Sequence, residues 1–463
     1  MSDRLLSVGL DVGTTSTQLI LSELLVENRA GSFSVPEMEI AQRRILYKSP
    51  VHFTPLISGE LVDAAALRKI VEAEYAAAGI RREDVDTGAI IITGETSRKE
   101  NARAVLQELS GFAGDFVVAA AGPHLESVLA AKGAGAVEFS RKTGKNVLHM
   151  DIGGGTSNLA WIREGTVVET GCLNVGGRLI KVEKTGEIRY ISPVLQGLTE
   201  LKTGEIPDPE RLRLLADTLV SALEMAAGLR EKTELLEKLT TKESVQSNQN
   251  HMMGKGDGSK WVLSFSGGVA DCIDTRRAPF AFGDIGPVLG QAIRESRLCA
   301  KEYMLGSETI RATVIGAGCH SAQLSGSTVY VRNVALPLQN LPVVRLPEEL
   351  QESAELTEWL RKTLARQEGP AVLALRGFAS PSYAQVTRLA RAIADGAGAG
   401  NILICLEQDM AKALGQALAA RLGSSAGVLC IDRVKLPEES YLDVGAPVGP
   451  ALPVVVKTLV LER

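Results

Sequence analysis

Aromatic residues are scarce in this chain, and it has no long apolar run and no excess of basic charge. Phe, Trp and Tyr make up only 4% of its 463 residues, which argues against an aromatic stacking surface for single-stranded nucleic acid. The net charge is -5, whereas nucleic-acid binders are usually basic. No apolar run reaches the roughly 18 residues of a transmembrane helix, and the N-terminus does not resemble a signal peptide. We therefore expect a cytoplasmic protein without nucleic-acid or membrane partners.

The six cysteines form no CxxC pair and the five histidines are scattered, so the sequence gives no support for a zinc site. We expect the cysteines to be buried, reduced thiols. An apolar fraction of 45% supports a large core, and the length suggests two to four domains at roughly 100–200 residues each. The predicted units are 1–142 with a small excursion at about 28–58, 143–328, and 329–463.

Strand-like and helix-like segments alternate along the chain, which predicts an α/β fold. In the first two units the predicted helices are 62–78, 97–109, 125–132 and 207–228. The predicted strands there include 89–93, 116–120, 147–151, 157–162, 261–265 and 313–315. In the third unit the predicted strands are 372–375, 402–406 and 428–431, with helices at 352–366, 381–394 and 410–422.

One short element occurs twice. Gly9–Ser16 reads GLDVGTTS and Met150–Ser157 reads MDIGGGTS. Each copy is an apolar strand that ends in Asp-x-Gly, followed by small and hydroxyl residues and a second strand. An ordinary hairpin with an Asp in its turn accounts for either copy alone, but two copies on matching strands indicate a shared purpose.

The composition of these turns suits a polyphosphate. Glycine lets backbone N–H groups approach phosphate oxygens closely, and Mg²⁺ keeps several waters while binding one or two carboxylates. We therefore predict that Asp11 and Asp151 are catalytic and hold Mg²⁺ through water. The predicted nucleotide-binding residues are Gly13, Thr14, Thr15, Gly153, Gly154, Gly155, Thr156, Gly267, Gly268 and Gly316.

Glu95 is a third candidate catalytic residue, in Gly94-Glu95-Thr96 directly after a predicted strand. A carboxylate there could orient the water that attacks the γ-phosphate of ATP. The alternative is an acidic residue placed favourably beside a helix N-terminus.

The whole pattern resembles the actin, Hsp70 and sugar-kinase superfamily over about residues 4–325. The turn at Asp11 resembles its first phosphate motif, the turn at Asp151 its second, and Gly267-Gly268 its adenosine motif. Gly133–Gly135 and Gly316–Gly318 fall where its interdomain connections belong. The resemblance implies duplicated actin-like, ribonuclease H-like lobes, and the third unit adds a C-terminal α/β unit to them.

Strings outside the phosphate turns narrow the resemblance to one family, that of the ethanolamine ammonia-lyase reactivating factors (EutA). These strings lie at Val8–Gln18, Ile40–Leu56, Ile91–Asn101, His149–Asn158 and Asp443–Val448. The match runs over essentially the whole chain, including the third unit.

The family resemblance implies a chaperone of ethanolamine degradation that acts on ethanolamine ammonia-lyase. It implies ATP or ADP with Mg²⁺ as cofactors, weak ATPase activity, and exchange of damaged cobalamin for intact cofactor. Adenosylcobalamin would belong to the partner enzyme. An association with a bacterial microcompartment is a further expectation.

Two other functions remain open from the residues alone. A small-molecule kinase of the same fold would need an acceptor base, for which Glu95 is the one candidate that we can name. An actin-like filament or scaffold protein is compatible with the same lobes. The sequence also leaves open whether the chain forms a homo-oligomer.

Overall fold

The structure is a computed structural model. It describes residues 3–13, 16–28, 38–58, 61–92, 105, 109, 117–120, 123–183, 185–242, 261–306, 309–320, 322–326, 328–365, 367, 369–398, 400–436, 440–447 and 451–458. The helices are α1 Ala64–Ala78, α2 Pro123–Gly133, α3 Ala136–Thr143, α4 Pro209–Ala226, α5 Glu234–Leu239, α6 Gly286–Arg294, α7 Ala312–His320, α8 Leu356–Leu364, α9 Tyr383–Ala397 and α10 Ala411–Ala419. Short 3-10 turns lie at Arg82–Asp84, Gly177–Leu179, Pro193–Leu195, Ala270–Cys272, Arg297–Cys299 and Glu348–Leu350.

The first sheet has the strand order β3-β2-β1-β7-β8, with β4 paired to β2. Its strands are β1 Asp3–Val12, β2 Ser16–Asn28, β3 Met38–Lys48, β4 His52–Phe53, β7 Thr87–Ile92 and β8 Val117–Ala120, and β5 Leu56–Ser58 pairs separately with β6 Leu61–Val62. In the five-strand path, β2 is antiparallel to its neighbours and the other pairings are parallel. The predicted excursion therefore contains β3, which is an integral strand of this sheet.

The second sheet repeats that arrangement in the order β11-β10-β9-β14-β15. Its strands are β9 Val147–Ile152, β10 Ser157–Arg163, β11 Thr166–Leu173, β14 Val262–Ser266 and β15 Tyr303–Leu305, and β12 Ile180–Val182 pairs separately with β13 Ile188–Ile191. Here β10 is the antiparallel strand. The same strand order with the same single reversal occurs in both sheets, so the prediction of duplicated, ribonuclease H-like actin lobes is confirmed.

Two helices connect these sheets, because each helix follows one sheet in the chain and packs against the other. Helix α2 follows the first sheet in the chain but packs against β9, β10 and β11 of the second sheet. Helix α7 follows the second sheet but packs against β1, β2 and β7 of the first. The two helices also pack against each other, so each sheet contacts a helix that follows the other sheet in the chain.

The C-terminal residues form a third sheet, in the order β16-β23-β22-β18-β19-β20-β21-β17. Its strands are β16 Ala322–Leu324, β17 Tyr330–Arg332, β18 Leu338–Arg345, β19 Val372–Leu375, β20 Ile402–Leu406, β21 Val428–Ile431, β22 Ser440–Val444 and β23 Pro453–Thr458. Strands β18 to β21 run parallel, and α8, α9 and α10 cover one face. The predicted additional α/β unit is confirmed.

Local sequence signals account for several of these elements. Asp63 begins α1 by accepting a hydrogen bond from the Ala66 nitrogen, and Gly79 ends it in the left-handed region at φ 68°. The six cysteines are buried and none of them is in a disulfide bond, as predicted. No helix among the described residues combines the length and the apolar character that crossing a bilayer requires.

Strand β23 also packs against the first sheet. Val455 and Leu324 of the third sheet join an apolar cluster with Leu5, Leu24, Val26 and Ile40 of the first sheet. The C-terminal unit is therefore in direct apolar contact with the sheet that carries Asp11.

Candidate nucleotide site

The two Asp-containing hairpins have the same geometry. Asp11 lies opposite Gln18 in the first hairpin, and Asp151 lies opposite Asn158 in the second. In the first turn the Gly13 N–H donates to the Ser16 carbonyl at 2.9 Å. In the second turn the Gly153 N–H donates to the Thr156 carbonyl, also at 2.9 Å. The duplication that the sequence indicates therefore extends to the register and to the bond that closes each turn.

A neighbouring segment supports the first turn. The Thr54 hydroxyl donates to the Gly13 carbonyl at 2.7 Å and lies 3.1 Å from the Thr17 hydroxyl. Directly before it, Phe53 pairs with Ser16. Thr14 and Thr15, which are predicted to bind nucleotide, lie outside the described residues.

Backbone contacts hold the second turn. The Gly177 N–H donates to the Gly153 carbonyl at 3.1 Å, and the Arg178 N–H donates to the Gly154 carbonyl at 2.6 Å. A Cβ atom on Gly155 would meet no atom within 4 Å. The Gly153 N–H is occupied by the hydrogen bond that closes the turn. Gly155 is therefore the glycine of this turn that borders open space.

Asp151 lies at the end of β9 and is 7% exposed. The Ser266 hydroxyl on the adjacent strand donates to its Oδ1 atom, and the Thr313 side chain is also hydrogen-bonded to it. Burial raises the pKa of Asp151 to about 6, although the two hydroxyl contacts act in the opposite direction. The carboxylate therefore has neutral donors but lacks the solvation that would favour its charge.

His149 lies on the same strand, two residues before Asp151, and is fully buried. Its Nδ1 atom lies 3.0 Å from the Ser264 hydroxyl and its Nε2 atom 2.9 Å from the Ser266 hydroxyl. Burial lowers the pKa of His149 to about 3. The sequence analysis missed this residue. A polar side chain in an otherwise apolar strand, two positions before the Asp, is the signal that could have identified it.

Arg178 is a second residue that the sequence analysis missed. Its stem lies over the second turn, because a Cβ atom on Gly154 would stand 3.3 Å from the Arg178 Cδ. Its Nε donates to Asp284 Oδ2 at 3.2 Å, and the Gly286 N–H donates to Asp284 Oδ1 at 2.8 Å. Burial raises the pKa of Asp284, and the Arg178 charge acts against that rise. The carboxylate thus holds a guanidinium beside the glycine turn.

Gly267 and Gly268 follow β14 and differ in their surroundings. Gly267 has φ 89°, and a Cβ atom there would stand 2.3 Å from the Ile152 carbonyl. A Cβ atom on Gly268 would meet nothing within 4 Å. Gly267 is therefore required for packing against the strand that carries Asp151, whereas Gly268 borders open space.

The predicted strand at 313–315 is wrong, because these residues belong to helix α7. Gly316 lies inside that helix, and a Cβ atom on it would stand 2.0 Å from the Leu129 carbonyl of α2. Helix-to-helix packing accounts for glycine at this position without a nucleotide contact. The third predicted catalytic residue, Glu95, lies outside the described residues, as does most of the predicted helix at 97–109.

Metal binding by these residues would rest on few protein ligands. Among the residues that the structure describes, no group of three or more His, Cys, Asp or Glu side chains is placed to hold a metal ion. A set of one or two carboxylates suits a hydrated Mg²⁺ better than a dehydrated cation in a protein cage.

Comparison with known proteins identifies relatives along nearly the whole chain. The family model described as ethanolamine utilisation protein EutA matches residues 3–462. The ethanolamine ammonia-lyase reactivase EutA of Salmonella typhimurium is 39% identical, and that of Escherichia coli 38%, each over 98% of both chains. Among solved structures, the PPX-GPPA enzyme of Aquifex aeolicus is 15% identical and covers 68% of this chain and 90% of its own, with a TM-score of 0.36.

Proposed function

This chain belongs to the family of the ethanolamine utilisation protein EutA, and we propose that it is an ATP-dependent chaperone that reactivates ethanolamine ammonia-lyase. The observation that carries the nucleotide part is the pair of matching turns with Asp11 and Asp151. The lyase part rests on the two relatives, which are named reactivases of that enzyme and align with nearly the whole chain.

Asp11 and Asp151 are the proposed ligands of Mg²⁺, through water. Asp151 fits this role because its donors, Ser266 and Thr313, are neutral hydroxyls that do not compensate a buried negative charge. A bound cation would supply that positive charge. The matching position of Asp11 at the end of β1 supports its assignment as the second carboxylate.

The phosphates are proposed to bind along the turns. Gly13 and Gly153 donate to Ser16 and Thr156 within their own turns, so their main role is to shape the backbone. Gly154 and Gly155 then provide the close backbone approach that phosphate oxygens require. Thr14, Thr15 and Thr156 remain proposed hydroxyl donors.

Arg178 adds a positive charge beside the second turn. Its guanidinium is held by Asp284 next to Gly154, and a planar guanidinium is well suited to phosphate oxygens. Gly268, which follows β14, leaves space that we assign to the adenosine portion.

The proposed movement is a change of angle between the two sheets. ATP bound by both turns would link the sheets, and hydrolysis would remove contacts to one of them. Helix α2 packs against the second sheet, α7 packs against the first, and the two helices contact each other, so they are the proposed pivot. A lyase molecule bound to both lobes would experience this change, and we propose that it releases damaged cobalamin in exchange for intact cofactor.

Reactivation of the lyase tests the proposal. Inactivated ethanolamine ammonia-lyase is mixed with the protein, fresh adenosylcobalamin, ATP and Mg²⁺, and recovered lyase activity is measured. Asp11→Ala and Asp151→Ala should each abolish recovery, whereas the control Asp395→Ala, at an exposed position, should not. No recovery with the wild-type protein would contradict the lyase assignment, and full recovery with Asp151→Ala would contradict the nucleotide site.

Finer expectations need separate measurements. The proposed units 1–142, 143–328 and 329–463 predict protease-sensitive boundaries near 142 and 328. Association with a bacterial microcompartment predicts that the protein sediments with isolated compartments.

The proposed weak ATPase activity is measured in the wild-type protein and in Glu95→Gln. A comparison of the two rates tests whether Glu95 orients the attacking water. Sedimentation with and without ATP reports whether the chain forms a homo-oligomer.

A further inference from the structure

A chain of polar side chains crosses the interior of the second sheet and ends at Asp151. Its members lie on the adjacent parallel strands β9 and β14, where His149 is opposite Ser264 and Asp151 is opposite Ser266. His149, Ser264 and Ser266 are completely buried. The order of contacts is Ser264, His149, Ser266 and Asp151.

The donors in this chain can be assigned from the number of available protons. Ser266 donates its one hydroxyl proton to Asp151 Oδ1, so it accepts from His149. The Nε2 atom of His149 therefore carries the ring proton in a neutral imidazole. The Nδ1 atom is then the acceptor, and Ser264 donates to it. Every donor in the chain points towards the carboxylate, an arrangement in which neighbouring hydrogen bonds strengthen one another.

We propose that His149 is a positioning residue for the carboxylate that binds magnesium: it fixes the Ser266 hydroxyl as a donor and so holds Asp151 in its binding orientation. This inference rests on the proposed function, since it assumes that Asp151 binds the Mg²⁺ of the nucleotide. Residues behind metal ligands commonly fix ligand orientation in this way.

The equivalent strand positions of the first hairpin carry no polar side chain that could form such a chain, which indicates that the duplicated turns have diverged. By the shared register, Gly9 occupies the position of His149, and Ile91 is opposite Asp11 as Ser266 is opposite Asp151. A Cβ atom on Gly9 would stand 2.6 Å from the Val314 carbonyl of helix α7. The space of a side chain at Gly9 is thus filled by the helix that provides Thr313 to Asp151.

The alternative is that His149 is only a structural residue, which hydrogen-bonds to two buried serines and has no effect on the metal site. The Mg²⁺ dependence of the variants distinguishes this structural role from the positioning role. His149→Leu removes the donor and fills its place with an apolar side chain, and Ser266→Ala removes the donor to Asp151. His149→Gln keeps an N–H donor that can reach Ser266. Ser140→Ala is the matched control, because Ser140 is also buried but donates to the Lys145 carbonyl, away from this chain.

The measurements are the Mg²⁺ concentration that gives half-maximal ATPase activity, and ADP affinity in EDTA. For His149→Leu and Ser266→Ala we expect the half-maximal Mg²⁺ concentration to rise about 10-fold or more. ADP affinity without Mg²⁺ should stay within about twofold, since the glycine turns are unchanged. His149→Gln should restore most of the Mg²⁺ response, and Ser140→Ala should retain the wild-type response.

Three outcomes would overturn the inference. Wild-type Mg²⁺ dependence in folded His149→Leu or in Ser266→Ala excludes a positioning role. An equal loss of ADP affinity in EDTA shows that the role is structural, and so does failure of His149→Gln to restore the response. If His149→Leu does not fold, Ser266→Ala and His149→Gln decide. Wild-type ATPase in Asp151→Ala would instead contradict the proposed metal site itself.

Discussion

The backbone of Gly133 lies directly against the backbone of Gly316. A Cβ atom on Gly133 would stand 2.7 Å from the Gly316 nitrogen and 1.9 Å from the Ala312 carbonyl oxygen. A Cβ atom on Gly316 would stand 2.0 Å from the Leu129 carbonyl oxygen. Side chains do not fit at such distances, so helices α2 and α7 contact each other directly through their backbones. Each of these helices also packs against a sheet.

Gly316→Ala should therefore destabilise the protein. The added methyl group forces the two helices apart, and overpacking of this kind costs about 1–3 kcal/mol. Thermal unfolding measures the effect, with Gly423→Ala as the control because a Cβ atom there meets nothing within 4 Å. Unchanged stability of Gly316→Ala would show that the helices can separate without cost.

Arg178→Ala should weaken binding of ATP. Loss of a charge-assisted hydrogen bond to phosphate costs about 1.5–3 kcal/mol, which is roughly a tenfold or greater rise in Kd. Arg178→Lys should recover part of the affinity. Calorimetric titration with ATP measures both variants, and Arg189→Ala is the control because Arg189 pairs with Glu183 at an exposed position. Equal ATP affinity in Arg178→Ala and wild type would remove Arg178 from the phosphate site.

Gly267→Ala and Gly268→Val should fail in different ways. Alanine at Gly267 combines φ 89° with a close contact to the Ile152 carbonyl, so we expect a lower melting temperature. Valine at Gly268 meets open space and should fold normally, but its side chain would fill the space proposed for adenosine. Melting temperature and ADP affinity, measured on both variants, separate these effects. A stable Gly268→Val with wild-type ADP affinity would contradict the proposed adenosine position.

Asp432 should make stability depend on pH. Its Oδ2 accepts from the Thr328 hydroxyl and from the Ala411 N–H, whereas Oδ1 has no hydrogen-bond partner among the described residues. Burial raises the pKa of Asp432 above its ordinary value of 3.8. The folded protein thus binds this proton more tightly than the unfolded chain, and stability falls as pH rises through the raised pKa.

Asp432→Asn removes this titration. We expect the melting temperature of Asp432→Asn, relative to wild type, to increase between about pH 4 and about pH 7. The exposed control Asp395→Asn should show a constant difference over the same range. A constant difference for Asp432→Asn would mean that the buried carboxylate does not contribute to the pH dependence.

The sequence predicted the two hairpins well because their signals are local. An alternating apolar strand that ends in Asp-x-Gly specifies both the strand and its turn, whatever packs around them. The third unit was readable for a similar reason, since its short apolar strands alternate with amphipathic helices.

The failures concern contacts between distant parts of the chain. The run Thr-Val-Ile at 313–315 favours a strand by composition, but the small residues that follow it allow close helix packing against Leu129. His149 and Arg178 gain their roles from Ser266 and Asp284, which lie more than 100 positions away in the sequence. Strand β3 is added to the first sheet by pairing with β2, which its own composition does not reveal.

The contact of Val455 and Leu324 with Leu5 and Ile40 attaches the C-terminal unit to the sheet of Asp11, so in the proposed movement this unit would act as a lever arm. Rotation of that sheet about the helix crossing would carry the arm with it. Because displacement grows with distance from the pivot, a small angular change at the crossing would become a large linear movement at the far end of the arm.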